Sequence, residues 1–153
     1  MKIKVMIDAN VLIYNFLNSD VIKKSQIESL FKNDNIKFVT TTRIIDEVIF
    51  KLIVIKSGKK LKQLKKDKEL LRNMVFIIEG VRDFLKKFDF EIYEIKEKHY
   101  WEISEIMKKY GLLGNDALTF IIMKENNIEY IATLDNDFKN IGIKNMLEDL
   151  EWK

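Results

Sequence analysis

Four acidic residues of this chain fall at positions where α/β proteins often carry chemistry. Asp8 directly follows the apolar stretch 3–7, Asp135 follows the strand-like stretch 130–133, and Asp116 opens a helical stretch after a glycine-flanked loop. Ligands of open α/β sheets bind outside the carboxyl ends of the strands. Glu47 is a fourth candidate, because a carboxylate on the narrow polar stripe of an apolar helix usually has a partner. The four carboxylates are therefore candidates for one shared site.

Each of these acids taken alone also fits a structural role, as a helix cap, a turn residue or an ion-pair partner. Glu47 suits a ladder with Arg43 and Lys51 worth about 0.3–0.5 kcal/mol per pair. Asp8 is harder to explain in this way, since a carboxylate that ends a buried apolar strand needs a hydrogen-bond donor or a metal. The chain has no Cys and only His99 as a histidine, so any metal is expected to bind oxygen ligands or His99. A surface or helix-capping role is the expectation for His99 itself.

The elements that must position these acids alternate between strand-like and helix-like periodicity. The predicted strands are 3–7, 36–40, 90–95, 128–133 and 143–147. The predicted helices are 11–17, 21–31, 42–55, 59–71, 73–88, a segment from about 101 to 110, and 115–126. Asp20 suits the N-cap of the second helix, the threonines at 40–42 offer caps for the third, and Ser57-Gly58 ends it. Residues 137–141 are expected to form a short turn or helix.

This alternation indicates an α/β protein. We expect a three-layer α/β/α domain with a central, mainly parallel sheet of four to five strands flanked by helices. A length of 153 residues suits one domain, and 47% hydrophobic content supplies a core. Trp101 and Tyr110 are expected to pack in that core. An apolar stripe along the helix at 73–88 is expected to face the core or a second copy of the chain. Its members are Met74, Ile78, Val81, Leu85 and Phe88.

The net charge of +3 hides one strongly basic segment. Residues 51–72 contain nine basic residues and only two acids. We predict a basic helical insertion at about 57–72 within a single domain that spans 1–153. Such a segment suits contact with a polyanion, and a solvated helix face is the plainer alternative.

The N-terminus does not have the pattern of a signal peptide, because Asp8 and Asn10 interrupt its apolar stretch. The longest apolar runs are far shorter than the roughly 20 residues that span a bilayer. We expect a soluble cytoplasmic protein with no membrane partner.

Four motifs of the chain together resemble the PIN domain of nucleases, a family that includes the VapC-type toxins. They are DANVLI at 8–13 after an apolar strand, EV at 47–48 in a helix, DAL at 116–118 opening a helix, and ATLDNDF at 132–138 after a strand. Their order and spacing match from residue 3 to about 141. The resemblance implies a central parallel sheet and a Mg²⁺- or Mn²⁺-dependent endoribonuclease site, with RNA as substrate.

The resemblance also assigns residues by motif position. Asp137 corresponds to a water-mediated metal ligand, and Asn10 and Thr133 correspond to supporting polar positions. For a VapC-type toxin it further implies a small antitoxin protein as partner and a homodimer. The catalytic and metal-binding acids that it implies are Asp8, Glu47, Asp116 and Asp135.

Physical chemistry agrees with this assignment. Carboxylates that converge in one cleft repel one another, and all stay ionised only if cations fill the space between them. Hard divalent ions prefer oxygen ligands. One ion would activate a water for attack on the scissile phosphate, and a second would stabilise the leaving oxygen. One or two ions therefore fit the acidic cluster.

The lysines of the basic segment are the expected contacts to RNA phosphates, a sequence-independent interaction that weakens steeply with salt. They are Lys59, Lys60, Lys62, Lys65, Lys66 and Lys68.

Three other functions remain open at this point. Asp8 followed by Asn10 loosely resembles haloacid-dehalogenase-type phosphatases, although Asn10 stands where their second aspartate transfers a proton. A catalytically inert RNA-binding module would keep the fold without the reaction. Among nucleases, a housekeeping RNA-processing enzyme is the alternative to a toxin paired with an antitoxin.

Overall fold

Five parallel strands form the centre of the fold. The computed structural model of the protein describes residues 1–17 and 21–148. Its strands are β1 (Ile3–Ile7), β2 (Ile36–Thr41), β3 (Glu91–Tyr93), β4 (Tyr130–Ala132) and β5 (Lys144–Asn145). They form one parallel sheet in the order β3-β2-β1-β4-β5. The predicted parallel sheet of four to five strands is confirmed.

Helices connect the first four strands and cover both faces of the sheet. They are α1 (Ala9–Leu17), α2 (Val21–Phe31), α3 (Thr42–Ser57), α4 (Leu61–Lys66), α5 (Lys68–Arg72), α6 (Val75–Lys87), α7 (Glu97–Tyr110) and α8 (Gly114–Glu125). Helix α1 contacts α2 and α3, α3 contacts α6, and α7 packs along α8. Because parallel crossover connections are right-handed, the connections before β3 lie on one face and the α7–α8 connection lies on the other. No helix in the described ranges is long and apolar enough to cross a membrane.

The order of the strands places a crevice beside β1. The chain moves outward from β1 to β2 and β3, then returns across the sheet to β4 on the other side of β1. This reversal is a topological switch point, where α/β proteins bind ligands at the carboxyl ends of the strands. The register pairs Ile7 with Ala132, so Asp8 and Thr133 leave the sheet side by side.

The start and end of α3 follow from local sequence signals. Thr41 is the N-cap and its Oγ1 accepts a hydrogen bond from the backbone N–H of Ile44 at 3.1 Å. Gly58 ends the helix in the left-handed conformation with φ 66°, which glycine adopts without a steric penalty. The threonine cap and the Ser57-Gly58 break are therefore both confirmed.

The basic segment is not one helix, as the sequence predicts, but two short ones. Asp67 separates α4 from α5, because its side chain accepts from the backbone N–H of Leu70 at 3.1 Å and pairs with Lys59 Nζ at 2.8 Å. Leu64 is buried and anchors α4. An N-capping aspartate thus starts a new helix inside the basic run.

The core prediction for Trp101 is wrong, because its side chain is 71% exposed. In the stripe expected to face the core or a second copy of the chain, Ile78 is 45% exposed while its neighbour Ile77 is buried. In α7 the side chains packed against the core include those of Ile103, Ile106 and Tyr110. Apolar residues on both sides of a helix blur the periodic signal, so periodicity alone did not separate Trp101 from the core-facing residues of α7.

His99 is a helix cap and lies inside the protein, not on its surface. Its side chain is 2% exposed, and its Nδ1 accepts from the backbone N–H of Lys96 at 2.8 Å at the start of α7. Its Nε2 lies 3.0 Å from a carboxylate oxygen of Glu125. The capping prediction is confirmed, whereas the predicted cap at Asp20 lies outside the described residues.

Candidate active site

A cleft opens at the carboxyl ends of β1 and β4, at the switch point of the sheet. It has a volume of about 200 Å³. All four predicted acids line this cleft, and several polar side chains lie beside them. The lining residues are Asp8, Ala9, Asn10, Glu47, Lys51, Leu113, Asn115, Asp116 and Asp135.

One hydroxyl group organises the β1–β4 side of the cleft. Thr133 Oγ1 donates to Asp8 Oδ2 at 2.8 Å, and it accepts from Asn10 Nδ2 at 3.3 Å and from the backbone N–H of Asp135 at 3.2 Å. A hydroxyl has one donor and two acceptor positions, so all three are used. The other oxygen of Asp8 accepts from the backbone N–H of Ala9 at 2.8 Å. Thr133 thus holds the buried Asp8 directly, and Asn10 supports this arrangement through its bond to Thr133.

Asn145 on β5 holds the backbone of Thr133. Its Oδ1 accepts from the backbone N–H groups of Thr133 at 3.3 Å and Leu147 at 3.2 Å, and its Nδ2 donates to the carbonyl of Thr133 at 2.9 Å. The side chain therefore continues the sheet pairing beyond the end of β4. Sequence reasoning missed Asn145, whose only signal is an amide within the mostly apolar stretch 143–147.

Glu47 enters the cleft from α3 with both carboxylate oxygens engaged. Lys51 Nζ lies 2.8 Å from Oε1, and Asn115 Nδ2 donates to Oε2 at 2.6 Å. Arg43 pairs with Asp46 at 3.7 Å, so only the Lys51 half of the predicted ladder involves Glu47. Lys51 and Asn115 were not predicted as site residues. Lys51 follows Glu47 by one helical turn, which is the signal that identifies it.

Asp116 lies in the first turn of α8, three residues after the N-cap Leu113. Burial raises its pKa to about 7, and the negative charges of Asp8, Asp137 and Asp135 act in the same direction. Asp137 therefore lies within electrostatic reach of Asp116. Asp137 thus reaches the acidic cluster although it does not line the cleft.

Burial also raises the pKa of Asp8, and the negative charges of Asp135 and Glu47 add to the shift. The hydrogen bonds from Thr133 and the backbone of Ala9 oppose it, because they stabilise the charged form. Burial is the largest cause of both shifts, and the negative charges of the neighbouring carboxylates add to it. The cluster is therefore electrostatically suited to positive charge.

The donor set fits a hard divalent ion, because every candidate ligand presents oxygen. Asn115 Oδ1 adds a buried oxygen with no hydrogen-bond partner in the described part of the chain. The candidate ligands do not surround a single point in this structure. Among residues 1–17 and 21–148, no group of three acidic, histidine or cysteine side chains is close enough together to hold one metal ion. Lys51 and Asn115 each bond one carboxylate oxygen of Glu47. A metal ion that binds Glu47 would therefore replace one of these two contacts.

Comparison with known proteins identifies the family. A sequence model of the PIN domain matches residues 5–144, which is most of the chain and includes every predicted acidic ligand. The chain belongs to the PIN domain family. The resemblance found in the four motifs is confirmed.

Two curated PIN domain relatives come from Methanocaldococcus jannaschii. Ribonuclease VapC2 is 30% identical over 149 residues, covering 95% of this chain and 93% of that protein. Ribonuclease VapC6 is 28% identical over 153 residues, covering 95% of this chain and 97% of that protein. Both alignments span nearly the whole length of each partner.

Solved structures share the PIN domain fold. Mycobacterium tuberculosis VapC20, described as a Sarcin-Ricin loop cleaving toxin, superposes with a TM-score of 0.66 at 12% identity, over 91% of this chain and 95% of that one. Rickettsia felis VapBC2, solved with a DNA fragment from its promoter, gives 0.55 at 19% identity, over 94% and 97% of the chains. At these identities the comparison shows the fold, and the predicted three-layer α/β/α architecture is confirmed.

Proposed function

We propose that this PIN domain is a divalent-metal-dependent endoribonuclease. The observation that carries the proposal is the convergence of Asp8, Glu47, Asp116 and Asp135 in one cleft at the switch point of the sheet. The names of the two M. jannaschii relatives, both called ribonucleases, support RNA as the substrate.

Within this proposal the acids of the cleft hold one or two Mg²⁺ or Mn²⁺ ions. Such ions supply Lewis acidity at the phosphate and lower the pKa of a bound water. The hydroxyl group of Thr133 donates to Asp8 and accepts from Asn10. These hydrogen bonds orient the Asp8 carboxylate before any ligand binds. Asp137 lies close enough to Asp116 to raise its pKa, and it is proposed to act as a water-mediated ligand.

We further propose that the protein is the toxin of a VapBC-type toxin–antitoxin pair. The support is the VapC designation of both curated relatives over nearly their whole length. Growth arrest on expression, relieved by a small protein encoded next to this gene, would support the toxin role. Normal growth together with defective RNA maturation in a deletion strain would instead indicate a housekeeping RNA-processing enzyme.

A second copy of the chain is a further proposed partner. Helix α6 presents Val75, Phe76 and Ile78 to solvent, and each is close to half exposed. Exposed apolar side chains in a row are typical of interfaces. Light scattering of the purified protein tests the dimer, and Phe76→Ser is the variant expected to dissociate it.

The basic segment 57–72 is proposed as an insertion that contacts RNA. Its six candidate lysines are all exposed on or beside α4 and α5. Lys59 also pairs with Asp67, which fixes the junction of these two helices.

Cleavage of end-labelled single-stranded RNA tests the main proposal. We expect internal cuts with Mg²⁺ or Mn²⁺, none with EDTA, and none in the Asp8→Asn and Asp116→Asn variants that circular dichroism shows to be folded. RNA that is bound but not cut under all conditions would indicate an inert binding module. Phosphate release from a small phosphomonoester without RNA cleavage would indicate the phosphatase, which membership of the PIN domain family disfavours.

A further inference from the structure

Lys51 is the only basic side chain among the residues that line the described cleft. Its Nζ lies 2.8 Å from Glu47 Oε1, and its side chain is 52% exposed. An ion pair four residues apart on a helix usually serves the helix alone. Here one partner is a candidate metal ligand, so the pair also belongs to the site.

The charge of the cleft explains why one ammonium matters. Four carboxylates against one ammonium leave a formal balance of three negative charges among the lining residues. An RNA phosphate that approaches this surface is repelled until cations neutralise it. Lys51 is the only positive charge that the described lining itself contributes.

The contacts of Glu47 link Lys51 to metal binding. Both oxygens of Glu47 are engaged, one by Lys51 and one by Asn115. A divalent ion held by Oε1 would take the place of the ammonium, and the flexible four-carbon stem of a lysine would let the ammonium move without leaving the cleft. Because the Lys51 side chain is about half exposed, the displaced ammonium would remain at the solvent side of the cleft, within reach of an RNA phosphate.

We propose that Lys51 is a phosphate-binding residue of the active site, released from Glu47 when metal binds and then held against the RNA backbone. The inference rests on the proposed ribonuclease function. It differs from a purely structural pair in one respect: removal of Lys51 changes metal binding and RNA binding in opposite directions.

The test compares Lys51→Met and Lys51→Arg with Lys56→Met, which removes an exposed lysine near the end of the same helix. Mg²⁺ binding is measured by calorimetry without RNA, and KM for a short labelled single-stranded RNA is measured at saturating Mg²⁺ over a series of monovalent salt concentrations. We expect Lys51→Met to bind Mg²⁺ several-fold more tightly, because a competing charge is gone. We expect its KM to rise with a smaller change in kcat, and its salt slope to fall by about 0.7, the value for one phosphate of a single strand.

Lys51→Arg is expected to restore the salt slope, and Lys56→Met is expected to match the wild type. A wild type that cuts RNA, together with a Lys51→Met variant that keeps the wild-type slope, overturns the inference alone. Weaker binding of both Mg²⁺ and RNA by Lys51→Met also overturns it, because Lys51 would then only order Glu47. A wild type that neither binds nor cuts RNA overturns the proposed function and this inference with it.

Discussion

Thr133 Oγ1 donates a hydrogen bond to Asp8 Oδ2 across the ends of two adjacent parallel strands, at 2.8 Å. The two residues are 125 positions apart in the chain and become neighbours only because β4 returns to the free side of β1. The bond holds a buried carboxylate at the point of the sheet where a ligand is expected.

Replacement of Thr133 tests this bond. Thr133→Val removes the donor to Asp8 and the acceptor for Asn10 and Asp135, so we expect cleavage activity or metal affinity to fall about 10–100-fold. The unpaired polar groups should also lower the free energy of unfolding by about 1–3 kcal/mol. Thr133→Ser keeps the hydroxyl and serves as the control in both the cleavage assay and urea unfolding. Equal activity of the Val and Ser variants would show that the hydroxyl does not position Asp8.

The raised pKa of Asp116 predicts a pH-dependent stability in metal-free solution. The folded-state pKa of about 7 lies above the ordinary value of 3.8, so the folded protein favours the protonated form. The folded state therefore loses stability relative to the unfolded state as pH rises from about 4 to 7, and the loss is complete above pH 7. Asp116→Asn, which cannot ionise, should raise Tm in EDTA by a few degrees at pH 8 and by little at pH 4.

Thermal unfolding in EDTA at the two pH values measures this effect. Asp46→Asn is the matched control, because Asp46 is exposed and lies outside the cleft. The same Tm difference between Asp116→Asn and wild type at pH 4 and pH 8 would contradict the assigned cause.

Asn145 is predicted to position Thr133 and not to touch the substrate. Asn145→Asp keeps the shape but sets a carboxylate oxygen against the carbonyl of Thr133, so we expect kcat to fall about tenfold or more. Asn126→Asp makes the same chemical change at the end of α8, where Asn126 Nδ2 donates to the carbonyl of Ile122. That position is about 18 Å along the helix from its cleft end. Asn126→Asp is expected to lose some stability and to keep the wild-type kcat. Equal losses of kcat in the two variants would show that Asn145 has no specific part in positioning Thr133.

The sequence predicted which acids lie together in the cleft because their signal is local. Asp8 ends an apolar strand and Asp116 starts a helix, and such positions can be found without knowing which strands are neighbours. Asn145 and Asn115 could not be found in this way. Their partners, the backbone of Thr133 and the carboxylate of Glu47, come into reach only through the strand order and the packing of α8 near α3.

The differences between the predicted and the observed elements have equally physical origins. A shift of one residue turns a helix face by about 100°, so the choice between Ile77 and Ile78 depends on tertiary packing and not on periodicity. Asp67 lies within a run of lysines that favours a continuous helix, yet its capping bond to Leu70 starts a new one. Local hydrogen bonds of aspartate compete with helix continuation, and here the competing bond prevails.

The lysines of the basic segment are predicted to contribute salt-dependent RNA affinity. Glutamine at Lys59, Lys60, Lys62, Lys65, Lys66 and Lys68 should reduce the slope of log affinity against log salt by about 0.7 for each RNA phosphate that a lysine no longer neutralises. Fluorescence anisotropy with labelled single-stranded RNA in EDTA measures the slope. Glutamine at Lys108 and Lys109, which are exposed at the end of α7, is the control. An unchanged slope in the six-lysine variant would show that these lysines do not contact RNA and that the segment is only a solvated helix face.

The most direct test of the central claim uses two adjacent acids of α3. Glu47 lines the cleft with its side chain 22% exposed, whereas Asp46 points to solvent at 80%. The account predicts that Glu47→Gln loses Mg²⁺-dependent RNA cleavage and that Asp46→Asn keeps it, with both variants folded. Full cleavage by Glu47→Gln, or an equal loss in both variants, would contradict the assignment of these carboxylates to one metal-dependent nuclease site.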